Sequence, residues 1–377
     1  MRVAIFTGPT GGHFFPAFAF SESLRTRHPE AQILFVTSHR GRSLAEKAKH
    51  QIESRFEFLP DFPFPRPPRW DFLIRLFPFL IKLSQSFWKV EKLLNEFRPD
   101  LCIGFGSYVA FPGILASRRK KIPTIIHEQN YTRGKANAWL ARFATRIALS
   151  FNPEGTRLDL PRCQTTGLPL RSRVACAAKQ KREKGLAISK ENQFRILIVG
   201  GSQGAHVLNE LWRNTWELFS DEEKSKLAVT HITGEKDFAT LRTMYQNQQI
   251  ETSLFPFHDR MEELYREADL AITRAGASTL FELAAFGLPA IVVPYQHAEG
   301  HQEENARYFE KRGGIRVLPE KNLAPQRLKD AVVEIMNSEN LRNQMSHAFT
   351  RLALPDAGDQ LVELCDEIFV EREPCAA

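Results

Sequence analysis

The sequence predicts an α/β protein built as two doubly wound parallel-sheet domains. Short unbroken apolar runs alternate with stretches of helical spacing, which is how buried parallel strands joined by crossover helices read. The alternation occurs once in each half of the chain, and a length of 377 residues suits two domains of ordinary size. Charge divides the same way: residues 1–190 hold 32 basic and 14 acidic side chains, a net of +18, and residues 191–377 hold 19 and 30, a net of −11.

In the first half, residues 3–6 lead to Gly8, and residues 33–36 follow one helix later. Residues 101–103 lead to Gly104, and residues 124–126 lead to His127. In the second half, residues 196–199 lead to Gly200 and Gly201, residues 270–273 to Arg274 and Gly276, and residues 290–293 to Pro294. The boundary is expected within 152–194, a turn-rich and then basic, polar stretch before a fresh strand at Phe194. Residues 325–371 read as helices, and no internal repeat is evident.

Hydrophobic residues are 43% and charged residues 25%, the balance of a globular chain, which excludes disordered and collagen-like classes. Five scattered cysteines without a C-x-x-C pair argue for a reducing compartment, with neither a disulfide framework nor structural zinc. The N-terminal apolar run is too short for a signal peptide, and no run is long enough to span a bilayer. The basic half should face something anionic, such as nucleic acid, phospholipid or a pyrophosphate substrate.

Residues 56–97 depart from the pattern, with eleven Phe or Trp among 42 residues. Five prolines between 60 and 68 introduce a segment that is apolar nearly all round, with Arg69, Arg75 and Lys82 interspersed. It reads either as a core helix or as a membrane-surface patch, an apolar wedge whose basic residues hold anionic headgroups.

Three glycine turns follow expected strands: Gly8 to His13, Gly104 to Tyr108, and Gly200 to Gly204. A turn at the carboxyl end of a parallel strand that opens a helix presents backbone N–H groups and a positive helix end, a seat for phosphate. Tight βα turns also use glycine for backbone reasons alone. Gly200-Gly-Ser202-Gln-Gly204 further matches G-x-S-x-G, so a serine hydrolase is a rival, with Asp259 or Asp269 and His297 or His301 in the required order.

The stretch from Arg274 to Glu282 is the most informative. It can be a capping box with Thr279 as cap and Glu282 following. Alternatively it binds a nucleotide: helix-start N–H groups meet phosphate, and the Glu282 carboxylate accepts from both ribose hydroxyls. His297 and His301 are spaced as a metal pair on a helix would be, but no third ligand is apparent. Polar runs after two strands, Tyr295 to Gln302 and His127 to Asn130, suit a sugar, whose hydroxyls need donors and acceptors.

These residues together resemble the MurG family of glycosyltransferases, which add N-acetylglucosamine to lipid I in peptidoglycan synthesis. The resemblance is carried by Thr10-Gly-Gly-His13 with Pro16, Gly104-x-Gly106-x-Tyr108-Val109, His127-Glu-Gln-Asn130, Gly167-x-Pro-x-Arg171 and Gly200-Gly-Ser-Gln-Gly204. It continues through Arg274-x-Gly-Ala277, Glu282, Gly287-Leu-Pro289, Pro294-Tyr-Gln-His297, Gln302 and Asn305-Ala306. It implies a GT-B architecture, two Rossmann-like domains facing across a cleft. Residues 1–165 would bind the acceptor and face the membrane, residues 166–354 would bind the donor, and a helix at 355–371 would pack back on the first domain.

The implied donor is UDP-N-acetylglucosamine, held by Thr10, Gly11, Gly12, Asn130, Arg171, Ser202, His258, Ala277, Ser278, Thr279, Leu280, Phe281, Glu282 and Gln302. The implied acceptor is lipid I, near His13, Gly104, Gly106, Ser107, Tyr108, Glu128 and Asn137. His13 is the candidate base, because an imidazole titrates near neutrality; the other reading of His13 is a helix-start residue that only orients phosphate. No cofactor or metal is expected, and no nucleic acid. The expected partners are the lipid acceptor and an anionic membrane surface met through residues 69–83, at the cytoplasmic face of the inner membrane, with other cell-wall synthesis proteins as candidate partners. The sequence departs from the family pattern at Pro9 and Ser107, where glycines are usual, at Leu168, where Asn is usual, at His258, often apolar, and at His301, where Gln is usual.

Overall fold

The computed structural model describes residues 1–62, 72–152, 162–183, 193–201, 205–246, 250–296 and 300–370, with backbone only at 72–75. Its chain divides into two compact units, residues 1–172 with 356–377, and residues 173–355.

The first unit runs β1 (Arg2–Thr7), α1 (Gly11–Arg27), β2 (Gln32–Ser38), α2 (Arg42–Lys49), β3 (Arg55–Leu59), α3 (Phe72–Phe97), β4 (Leu101–Phe105), α4 (Ser107–Arg119), β5 (Thr124–Glu128), α5 (Lys135–Leu140), β6 (Arg146–Leu149) and β7 (Cys163–Thr165). The second runs α6 (Ser172–Glu183), β8 (Phe194–Val199), α7 (His206–Trp216), α8 (Asp221–Ser225), β9 (Leu227–Ile232), α9 (Phe238–Gln246), β10 (Glu251–Phe255), α10 (Met261–Glu267), β11 (Leu270–Thr273), α11 (Ala277–Phe286), β12 (Ala290–Val292), α12 (His301–Glu310), β13 (Ile315–Val317), α13 (Pro325–Asn337) and α14 (Glu339–Thr350). Helix α6 begins at the division, on Ser172 of the first unit. A last helix, α15 (Ala357–Val370), returns to the first unit.

Both sheets are parallel. Their orders are β3-β2-β1-β4-β5-β6-β7 and β10-β9-β8-β11-β12-β13. In each, the chain winds out one way from the first strand and then returns to wind out the other way. That reversal falls between β1 and β4, where Val3 pairs with Leu101, and between β8 and β11, where Leu270 pairs with Ile196. A doubly wound sheet binds ligands beyond the carboxyl ends of its strands at this switch point. The fold class is the expected one, two Rossmann-like α/β units.

Burial on both faces is why these strands read as apolar runs: Val3, Ala4, Ile5 and Phe6 are all buried. Alternate residues serve opposite layers. Val3 and Ile5 join the core under α1, α2 and α15, and Ala4 and Phe6 join the core under α3 and α4. Helix α15 sinks Leu361, Val362, Leu364, Cys365 and Ile368 into the first of these layers. Its outer side is tied to α1 by Arg27 to Glu363 at 3.0 Å and His28 to Asp366 at 2.9 Å.

Helix α3 is buried on one side and exposes large apolar side chains on the other. Ser86, Val90, Leu93 and Leu94 are buried against the sheet. Phe77 is 70% exposed, Trp88 64% and Leu80 50%. Residues 69–71 of the expected membrane patch lie outside the described residues, as do the side chains of 72–75. Among the described residues, no helix is long and apolar enough to cross a membrane.

Candidate functional site

In the first unit, the two loops at the switch point touch. A Cβ on Gly8, after β1, would lie 2.6 Å from the Ser107 Cβ and 2.9 Å from the His13 Cδ2. Helix α1 starts after Thr10, whose side chain makes no capping bond; the Thr10 carbonyl accepts from the His13 and Phe14 N–H groups at 3.1 and 2.9 Å. The N–H groups of Gly11 and Gly12 thus stand at the positive end of a 17-residue helix, the arrangement that receives phosphate. Pro9 cannot add another donor.

Beyond β4, Gly106 takes φ +73° and Ser107 φ +66°. A Cβ on Gly106 would lie 3.1 Å from the His13 Nδ1 and 3.3 Å from the Gln129 Oε1, so a side chain there would press on that pair. Gly104 lies within β4, buried against Ala110 and Ile114 of α4, and serves close strand–helix packing. The Tyr108 hydroxyl donates to the Asp61 Oδ1 at 2.8 Å, with the Ser38 Oγ 3.0 Å away. Burial pushes the Tyr108 phenol up to about 12, so it remains a donor.

At the end of β5, the buried Glu128 carboxylate gathers the following loop. Its Oε1 accepts from the Asn130 N–H at 3.0 Å, and its Oε2 accepts from the Gly134 N–H at 3.0 Å and from the Asn137 Nδ2 at 2.9 Å. In this structure Glu128 and Asn137 therefore shape the loop that carries Asn130. Arg171 belongs to the same unit, with its guanidinium 4.9 Å from the Phe15 ring centroid.

The second unit repeats the plan. Gly201 follows β8 with φ +89°. Ser202, Gln203 and Gly204 lie outside the described residues, as does His297. Helix α11 begins at Ala277 behind Gly276, with no side-chain cap, so Thr279 is inside the helix and the capping-box reading fails. Ala277, Ser278 and Thr279 form the first turn. Among the described residues, the buried Ser278 Oγ and His258 Nε2 have no hydrogen-bond partner. Buried polar atoms are costly without a partner, so each is a candidate for a ligand bond. Leu280 and Phe281 point into the core, with Phe281 edge-on to Phe309 at 5.4 Å.

Glu282 is 8% exposed, and its Oε2 accepts from the Tyr265 hydroxyl at 2.9 Å. The Gln302 Oε1 accepts from the Ala275 and Tyr295 N–H groups at 3.2 and 2.9 Å, pinning two strand-end loops together. Arg274 supports the same loops from below, donating to the Val293 carbonyl at 3.1 Å and to Glu320 at 3.1 Å.

The structure bears on one of the alternatives carried by the sequence, the serine-hydrolase triad that would use Asp269. Asp269 precedes β11, where its carboxylate accepts from the Arg195 N–H at 2.9 Å, at the opposite end of the sheet from the G-x-S-x-G turn. It cannot serve a triad there. Helix α12 begins at His301 behind a left-handed Gly300, and the other member of the expected pair, His297, lies outside the described residues. Among the described residues, no group of three or more His, Cys, Asp or Glu is arranged to hold a metal ion. Sequence reasoning missed Tyr265, and it named Gln129 and Asn305 only as motif residues; Asn305 donates to the Ala275 carbonyl at 3.3 Å. The signal for Gln129 was its place in a polar run directly after a buried strand.

Comparison with known proteins agrees with this geometry. Residues 3–149 match the glycosyltransferase family 28 N-terminal domain, and residues 195–361 match the family's C-terminal domain. A UDP-N-acetylglucosamine–N-acetylmuramyl-(pentapeptide) pyrophosphoryl-undecaprenol N-acetylglucosamine transferase of Halothermothrix orenii is 35% identical, over 97% of this chain and 99% of that enzyme. The enzyme of the same name from Thermodesulfovibrio yellowstonii is 34% identical, over 98% and 99%. The crystal structure of Acinetobacter baumannii MurG matches with a TM-score of 0.75 at 26% identity, covering 97% of this chain and 99% of that one. A UDP-GlcNAc 2-epimerase from Neisseria meningitidis, at 12% identity and a TM-score of 0.69, shares the fold.

Proposed function

The chain belongs to glycosyltransferase family 28, and on that premise we propose that it is a hexosyltransferase of peptidoglycan synthesis. It moves N-acetylglucosamine from UDP-N-acetylglucosamine to the C4 hydroxyl of undecaprenyl-pyrophosphoryl-N-acetylmuramoyl-pentapeptide. One observation carries this reading: the likeness to transferases of that name runs the full length of the chain, through the strand-end turns of both units.

The second unit is the donor unit. The N–H groups at the start of α11 meet the diphosphate, and the Ser278 Oγ is within that turn. Glu282, oriented by Tyr265, accepts from the ribose hydroxyls. Gln302 uses its carbonyl oxygen on the loops, which leaves its amide NH2 for a sugar hydroxyl. His258 stands by the base.

The first unit is the acceptor unit, and His13 is the base. The acceptor oxygen attacks the anomeric carbon as its proton passes to His13. The bond from that carbon to the diphosphate oxygen breaks, and the electron pair leaves with UDP. Attack opposite the leaving group inverts the anomeric centre. The developing charge on UDP is met by the helix-start N–H groups of the donor unit, without a resident metal. The lipid acceptor brings the protein to the cytoplasmic face of the membrane as a peripheral protein. Phe77, Leu80, Ile81 and Trp139 are exposed on the layer of α3, α4 and α5 and suit the headgroup boundary.

Incubation with UDP-N-acetylglucosamine alone tests the reaction class. The donor is expected to remain unchanged until a lipid I analogue is added. Conversion of the donor to its 2-epimer without acceptor would overturn the reading.

A further inference from the structure

We propose that Gln129, itself set by His127, is a positioning residue that fixes the tautomer of His13 and so makes Nε2 its proton-accepting nitrogen. The proposal rests on the reading of His13 as the base.

Each link of the relay is dictated by a group that can act in only one way. The Gly167 carbonyl can only accept, and it lies 3.0 Å from the His127 Nε2, so that nitrogen carries hydrogen. His127 is completely buried, with its ring 5.1 Å from that of Phe105, and burial pulls it down to about 4. It is therefore neutral at neutral pH, and its Nδ1 carries only a lone pair.

The Gln129 Nε2 lies 3.2 Å from that lone pair and 3.1 Å from the His127 carbonyl oxygen. Both are acceptors, so the NH2 end of the amide faces His127. The orientation of this amide, often an open choice, is settled by two independent partners. Its Oε1 must then face the other way, where it lies 3.2 Å from the His13 Nδ1. An amide oxygen accepts only. The His13 Nδ1 therefore carries hydrogen, and basicity resides at Nε2.

The surroundings hold this arrangement. Gln129 is 2% exposed, so it reaches chemistry only through His13. Gly106 covers the His13–Gln129 contact with bare backbone, and any side chain there would press on both. A neutral amide orients the ring as a carboxylate would, but without a full negative charge to hold the proton after transfer. A base that must be regenerated near neutral pH benefits from that difference.

The ring-nitrogen shifts of His13 in the native protein, by NMR after selective labelling, test the tautomer with no variant needed. Hydrogen on Nδ1 at neutral pH is expected. Hydrogen on Nε2 would overturn the proposal. The Gln129→Leu variant is then expected to lose the Nδ1–H signature and to lower kcat on the order of 10²-fold, with the donor KM little changed. An unchanged signature in Gln129→Leu would also overturn the relay. A lost signature with full kcat would support the relay and instead overturn His13 as the base.

Discussion

Ser107, the first residue of α4, holds a left-handed backbone at φ +66°. A side chain there carries strain of order 1–2 kcal/mol that glycine would not. Ser107→Gly is therefore expected to raise stability by about 0.5–1 kcal/mol, after the added flexibility of the unfolded chain is set against the relief. A higher Tm checks this, and a lower one would contradict the strain. Glu282→Ala should raise the donor KM, with a loss of about 1.5–3 kcal/mol for hydrogen bonds to a charged group. Tyr265→Phe should do so more weakly, and an unchanged donor KM in Glu282→Ala would remove the ribose assignment. Burial also pulls His127 down to about 4 and His231 to about 3. The unfolded chain binds their protons first, so the stability they contribute is fully present above about 6.5 and drains away as pH falls towards those values. Urea midpoints should fall between pH 7 and 5, and His231→Gln should flatten that slope. A slope unchanged in the variant would contradict it. Glu282 and Gln302 drew notice in the sequence because each follows a strand-end turn. Gln129 with His13 and Tyr265 with Glu282 did not, because sheet order alone brings those pairs together.

Strands and their glycine turns were the most legible elements. A strand buried on both faces must be apolar throughout, and a chain that turns from it into a helix at a switch point needs a backbone unencumbered by side chains. The helix starts were less legible: Thr279 carries a capping residue's chemistry, yet α11 begins two residues earlier behind Gly276, because the turn from β11 is shorter than the capping pattern implied. Helix α3 was ambiguous because it does two things along its length, burying Val90, Leu93 and Leu94 while exposing Phe77 and Leu80. Helix α15 illustrates what sequence distance conceals. It closes the core of the first unit from the far end of the chain, and Leu361, fully buried there, is expected to cost about 2–5 kcal/mol when replaced by alanine. Denaturant unfolding measures this, and a change under 1 kcal/mol would contradict the packing role of the helix.

At the scale of the whole molecule, the charge division has a structural counterpart. The half with a net of +18 contains most of the unit whose α3 and α5 expose Phe77, Leu80, Ile81 and Trp139. Binding to anionic vesicles should need both features. It should weaken as salt rises and fall sharply in a Phe77→Glu, Leu80→Glu double variant, whereas undiminished co-sedimentation would defeat the surface. The acidic half carries the strand-end turns proposed to bind the nucleotide, where backbone N–H groups rather than a positive field would receive phosphate. The most direct test of the account is transfer of labelled N-acetylglucosamine from its UDP donor to a soluble lipid I analogue with chelator present. The account predicts a β-linked disaccharide product, formed only when both substrates are supplied and at an undiminished rate under chelation. Donor binding without any transfer to that acceptor would contradict it.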